Sequence, residues 1–171
     1  MDPFHARLAR VGLNAAARYG FCLAGGYAVQ AHGMVERHSE DVDLFSTMAA
    51  EEDFPDAAEA VVKALRTDHL DVTVQVKSPT FARLSVVDPE TGTVARVELG
   101  LDWRAHPPIT LEIGPVLHAD DAVANKACAL FGRVPCRGSP TPLSYGMSSV
   151  DTSALIARII DYAEQIQATK P

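Results

Sequence analysis

An α+β domain built on a mixed sheet is the fold class this sequence predicts, and two observations carry the prediction. The chain has 171 residues, 47% apolar and 22% charged, which is the length and composition of about one globular domain. Its hydrophobic periodicity changes in the order helix, strand, helix, strand, helix, then a strand meander and more helix. That order lacks the strict strand–helix alternation of a doubly wound parallel sheet. Charge narrows the function classes as well. With 15 Lys and Arg against 22 Asp and Glu, the formal net charge is −7, so any nucleic-acid contact is confined to a local patch.

Each element follows from local pattern. Phe4, Leu8, Val11 and Ala15 recur at helical spacing, so residues 4–19 read as an amphipathic helix that Gly20 stops. The apolar run 21–24 fits a buried strand, broken by Gly25-Gly26, and 27–32 reads as a short helix. Residues 41–45 alternate strictly, with Val42 and Leu44 on one face and Asp41 and Asp43 on the other. A helix is expected over 53–66, with Asp53 as its cap and Pro55 in its first turn. Strands follow at 70–76, 81–87 and 93–102, the last two joined by an Asp-Pro-Glu-Thr-Gly turn, with a short strand pair over 109–118. Asp120 and Asp121 open a helix that runs to Phe131. Residues 135–150 hold three Pro, two Gly and four Ser and read as a loop, since Pro135 cannot continue the helix before it. Leu155, Ile156, Ile159, Ala163 and Ile166 then mark a last helix over about 152–167. The expected organisation is a core over 1–118 and a short helical part over 119–171.

Three cysteines form neither a CxxC pair nor an even framework, so no disulfide scaffold and no structural zinc site is indicated. Cys22 and Cys128 read as core packing, Trp103 as a cap on the core, and His32 and His38 as bystanders to the acidic segment. No signal core and no long apolar run occurs, so a soluble cytoplasmic protein is expected, with no membrane partner.

The chemistry concentrates between Gly25 and Asp43. Two carboxylates projecting from one strand face roughly 6–7 Å apart repel each other, and a divalent cation relieves that cost. Mg²⁺ favours one or two carboxylates together with substrate phosphates. Gly25-Gly26 stands between a strand and a helix, where bare backbone N–H groups can hold a phosphate. Arg37 and Ser39 come just before the acidic pair, a cation and a hydroxyl suited to phosphate. An Asp-x-Asp spacing alone carries little weight in a chain with 13 Asp; the surrounding residues supply the weight.

The run Gly25-Gly26, then Arg37-x-Ser39-x-Asp41-Val42-Asp43-Leu44-Phe45, resembles the first motif of the DNA-polymerase-β-like nucleotidyltransferase superfamily. Within it the chain resembles the AbiEii-type nucleotidyltransferase toxins of type IV toxin–antitoxin systems, including the mycobacterial MenT group. The resemblance covers about residues 4–133 and implies a nucleotidyltransferase-fold core, a mixed sheet flanked by helices. It implies that Asp41 and Asp43 hold Mg²⁺ and that a third acid lies on a later strand, where Glu98 falls. Glu98 also reads as an outward-facing polar strand residue, and Asp102 on the same face is the lesser candidate. Lys126 matches the family Lys that contacts nucleotide phosphate, and Arg133 and Arg137 are candidates for gripping RNA. Here the match ends. The family has an Asp after the Arg, whereas this chain has Gly138 and no carboxylate from Ala122 through Val150.

The activity so implied is Mg²⁺-dependent transfer of a nucleoside monophosphate from an NTP to the 3′ end of tRNA, which stops translation. A cognate antitoxin protein is implied too. In that reading Gly25, Gly26, Arg37, Ser39 and Lys126 bind nucleotide. Asp41, Asp43 and Glu98 bind metal, with Glu98 completing the cage or taking the hydroxyl proton. Ser39, two residues before Asp41, is the candidate control point. Two alternatives stay open: a nucleotidyltransferase acting on a small molecule or a protein, and a catalytically weak nucleotide-binding module lacking the second-motif Asp.

Overall fold

A computed structural model of the chain describes residues 1–34 and 39–131. The chain divides into two compact units, Met1–Ala122 and Val123–Pro171. Among the described residues, the second unit contributes the later part of one helix. The expected loop over 135–150 and helix over 152–167 lie outside the described residues.

Helix α1 (Pro3–Ala15) starts where Asp2 accepts hydrogen bonds from the Phe4 and His5 amides, at 2.9 and 3.2 Å, with Pro3 in its first turn. It ends four residues short of the expected boundary. A separate 3₁₀ turn, Ala17–Tyr19, follows and closes on Gly20 in the left-handed region at φ 70°. Strand β1 (Cys22–Leu23) leads directly into α2 (Gly25–Ala31), so the two glycines form the first turn of that helix instead of a break before it. Strand β2 is Asp41–Ser46 and helix α3 is Phe54–Thr67. Asp53 makes no capping hydrogen bond; its backbone is already helical, which takes the carboxylate away from the free amides.

Strands β3 (Asp71–Lys77), β4 (Phe81–Val87) and β5 (Val94–Leu101) form the expected meander. Strands β6 (Ile109–Leu111) and β7 (Gly114–Val116) form a small hairpin before α4 (Ala119–Phe131). All seven strands join one sheet in the order β3-β4-β5-β2-β1-β7-β6. The sheet is mixed: β2 pairs β5 in parallel and β1 pairs β7 in parallel, while the remaining pairs are antiparallel. The α+β class with a mixed sheet is therefore the observed one.

The core lies between the sheet and the pair α1 and α3. Val42 and Leu44 of β2, Val97 and Leu99 of β5, Leu8 and Leu13 of α1 and Val61 and Leu65 of α3 are all buried. Leu44 reaches across to Gly12 of α1, which fixes this as the helix-covered face. Period-2 alternation then sends Asp41, Asp43 and Phe45 to the opposite face. Cys22 is buried as expected, and burial pushes its thiol up, partly offset by the neighbouring Arg104. Trp103 does not cap the core: it is 69% exposed. The strand ends at Leu101, two residues before Trp103, and the Asp102 carboxylate accepts the Trp103 amide at 2.7 Å. Among the described residues no helix is long and apolar enough to cross a membrane.

Candidate active site

The acidic pair sits at the start of β2, where the parallel β2–β5 pairing sets its neighbours. Asp41 registers with Arg96 and Asp43 with Glu98. The antiparallel β4–β5 pairing sets Arg83 opposite Glu98. Asp43, Glu98 and Arg83 therefore form one row across three adjacent strands, on the face away from α1 and α3. Neighbouring strands lie about 4.8 Å apart, so side chains in such a row are in contact range.

Glu98 is not an outward-facing polar residue: it is 2% exposed, and Arg83 Nε donates to its Oε1 at 2.7 Å. A carboxylate this deep requires a charged partner, and Arg83 is that partner. Asp41 makes a looser pair with Arg96, whose Nη1 stands 3.2 Å from Oδ1. Burial raises the Asp41 pKa above its ordinary value, with Arg96 pulling it down and Glu40 pushing it up. In net terms the ionised form is penalised here, and an added cation would favour it.

Gly25 is the contact that joins the two halves of the site. Its φ is 57°, and the Ala24 amide just before it donates to the Asp43 carbonyl at 2.8 Å. A Cβ at position 25 would stand 1.7 Å from Asp43 Oδ2. At position 26 it would stand 2.6 Å from Ser39 Oγ. The Gly-Gly pair thus lies directly against Asp43 and Ser39, and only bare backbone fits in both places. A buried Tyr27 secures the entry to β2: its hydroxyl donates to the Ser39 carbonyl at 3.0 Å and meets His5 Nδ1 at 2.5 Å.

The strand register and the glycine contacts thus set Gly25, Gly26, Ser39, Asp43 and Glu98 side by side, with Asp41 two residues before Asp43 on the same strand face. Lys126 lies on α4 in the second unit. Arg37, Arg133 and Arg137 lie outside the described residues, as does His38. Asp102, the lesser candidate for third acid, lies just past the end of β5, where its amide donates to the Ser46 carbonyl at 2.9 Å. His32 bonds the Leu117 carbonyl through Nε2 at 2.8 Å. Sequence reasoning missed Arg83 and Arg96. The signal was available for Arg96, which alternates with Glu98 along the strand and so shares its face.

The carboxylate set offers oxygen ligands only, the chemistry that suits Mg²⁺. Its fit to that ion rests on the charge penalty at Asp41 and on the backbone cradle that holds Asp43.

A family model described as nucleotidyl transferase AbiEii toxin, type IV toxin–antitoxin system, matches residues 8–142. The chain belongs to this family. It is thus a member of a family of nucleotidyltransferase toxins. Comparison with curated proteins finds no match. Among solved structures the chain is similar to JHP933 from Helicobacter pylori, with TM-score 0.52 and 19% identity over 74% of this chain and 56% of that one. It is also similar to MenT4, a nucleotidyltransferase toxin of Mycobacterium tuberculosis, with TM-score 0.48 and 22% identity over 77% of this chain and 55% of that one. This AbiEii-family chain therefore spans little more than half the length of either relative.

Proposed function

We propose that this chain transfers a nucleoside monophosphate from an NTP to the 3′ end of tRNA, and that the product blocks translation. The observation that carries the reading is the contact between the Gly25 backbone and the Asp43 carboxylate, because it sets the Gly-Gly backbone directly against a residue of the acidic pair. Asp41 and Asp43 are the residues that would hold Mg²⁺, which when bound supplies charge neutralisation at the α-phosphate. Gly25 and Gly26 receive the phosphates on bare backbone, and Ser39 lies against Gly26 at the edge of that surface. Arg83 holds Glu98 beside Asp43, so that Glu98 completes the acidic set without straying. In-line attack of a terminal hydroxyl on the α-phosphorus releases pyrophosphate, and the catalytic gain is mostly positioning and electrostatics.

In the division of labour we propose, residues 1–118 form the catalytic core. Lys126 is assigned to nucleotide binding and Arg133 and Arg137 to RNA binding. Arg37 adds a further cation for nucleotide. The protein acts in the cytoplasm, opposed by a cognate antitoxin that acts on Ser39 or covers the site. Incubation of purified protein with Mg²⁺, each labelled NTP and total tRNA tests the reading. Label should enter tRNA with wild type and not with Asp41→Ala or Asp43→Ala. Label entering no RNA, or entering it equally with either variant, overturns it.

A further inference from the structure

A second group of metal-ligand side chains stands apart in sequence from the acidic pair. His106, on the loop after β5, and His118 and Asp120, where β7 passes into α4, each present one ligand atom, and the three atoms lie within 4.8 Å of one another. The two imidazole rings stack with centroids 4.4 Å apart and planes 26° from parallel. The Asp120 amide donates to His118 Nδ1 at 3.3 Å. The same nitrogen is 3.7 Å from Asp120 Oδ2. Zinc bonds of about 2.0–2.2 Å place neighbouring tetrahedral ligand atoms roughly 3.4 Å apart, close to the separation of this pair, and on binding an ion Nδ1 exchanges the Asp120 amide for the metal.

The surroundings are also built as metal sites are built. Asp121, 3% exposed, lies 3.5 Å from His106 Nδ1 and accepts the amides of Ala105 at 3.0 Å and His106 at 2.9 Å. A carboxylate that orients a histidine from behind is the usual support of an imidazole ligand. Two nitrogens and one oxygen suit a borderline transition metal and disfavour Mg²⁺, which takes oxygen.

We propose that His106, His118 and Asp120 bind one Zn²⁺ ion, with Asp121 as a positioning residue. The ion fastens the loop after β5 to the first turn of α4. The cysteine pattern pointed to no zinc site; the histidines, 12 residues apart in sequence, converge only in the fold. This assignment is independent of the proposed transfer reaction.

The test is titration of the full chain with Zn²⁺ against a chromophoric chelator, with excess Mg²⁺ present to occupy oxygen-only sites. Wild type should take up one equivalent and melt at a higher temperature with zinc than without. His106→Gln and His118→Gln should each weaken binding at least 10-fold and remove the melting shift, and Asp121→Asn should weaken it about 10–100-fold. Circular dichroism of the metal-free variants checks folding, and two histidine variants are used so that one misfolded protein does not decide the result. The absence of a stoichiometric site, or binding unchanged in a folded histidine variant, overturns the assignment.

Discussion

Replacing Gly25 with alanine is expected to disable the site by displacing a carboxylate that the substitution does not itself remove. The new Cβ would stand 1.7 Å from Asp43 Oδ2, 2.5 Å from its Cγ and 2.9 Å from its Cβ. Contacts of a real Cβ stay beyond 3.0 Å, so the carboxylate must retreat by more than about 1.3 Å. A misplacement near 1 Å costs about 100-fold in rate where catalysis depends on positioning, so Gly25→Ala should lower transfer by about 100-fold or more. Stability should fall too. The position has φ 57°, which costs a residue with a Cβ about 1–2 kcal/mol, and forcing atoms into a filled space adds about 1–3 kcal/mol. Most of the second contribution disappears when Asp43 is truncated to alanine, which leaves only the 2.9 Å contact with its Cβ. In an Asp43→Ala background the cost of Gly25→Ala should therefore shrink to about 1–2 kcal/mol. Initial rates with labelled NTP and urea unfolding of the four proteins of this cycle measure both effects. Transfer within threefold of wild type, or full additivity of the two stability changes, would refute the claim that Gly25 sets the place of Asp43.

Arg83→Met leaves Glu98 buried without its cation and should cost about 3–5 kcal/mol by urea unfolding, less in a Glu98→Gln background. For Asp41 the sign runs against stability. Burial holds its native pKa above the ordinary 3.8, so the native state binds that proton more tightly than the unfolded chain, and the contribution of Asp41 falls as pH rises through the raised value. In EDTA at pH 7, Asp41→Asn should therefore melt at or above the wild-type temperature while transfer with Mg²⁺ is lost; a lower melting temperature would contradict this. Ser39→Asp should reduce transfer more than Ser39→Ala, because Ser39 already lies against Gly26 and added bulk and negative charge fall where phosphate is received; equal rates would dismiss Ser39 as a control point.

The amino-acid sequence by itself determined the alternation of elements and the strand faces. Strict period 2 over residues 41–45 sends two aspartates one way and two apolar side chains the other whatever the strand pairs with, because successive side chains alternate across the backbone. The Gly-Gly turn beside them was likewise legible, since few other residues tolerate a positive φ at the start of a helix. Boundaries were less so. The end of α1 at Ala15 and the exposure of Trp103 were not encoded in the periodicity. Strand pairing was decided by tertiary structure alone. That Glu98 stands beside Asp43 and faces Arg83 follows from β5 pairing in parallel with β2 and antiparallel with β4, and a shift of one residue would have turned Glu98 to the other face. The meeting of His106, His118 and Asp120 likewise depends on the chain returning through the β6–β7 hairpin between the end of β5 and the start of α4, which local residue preference does not encode.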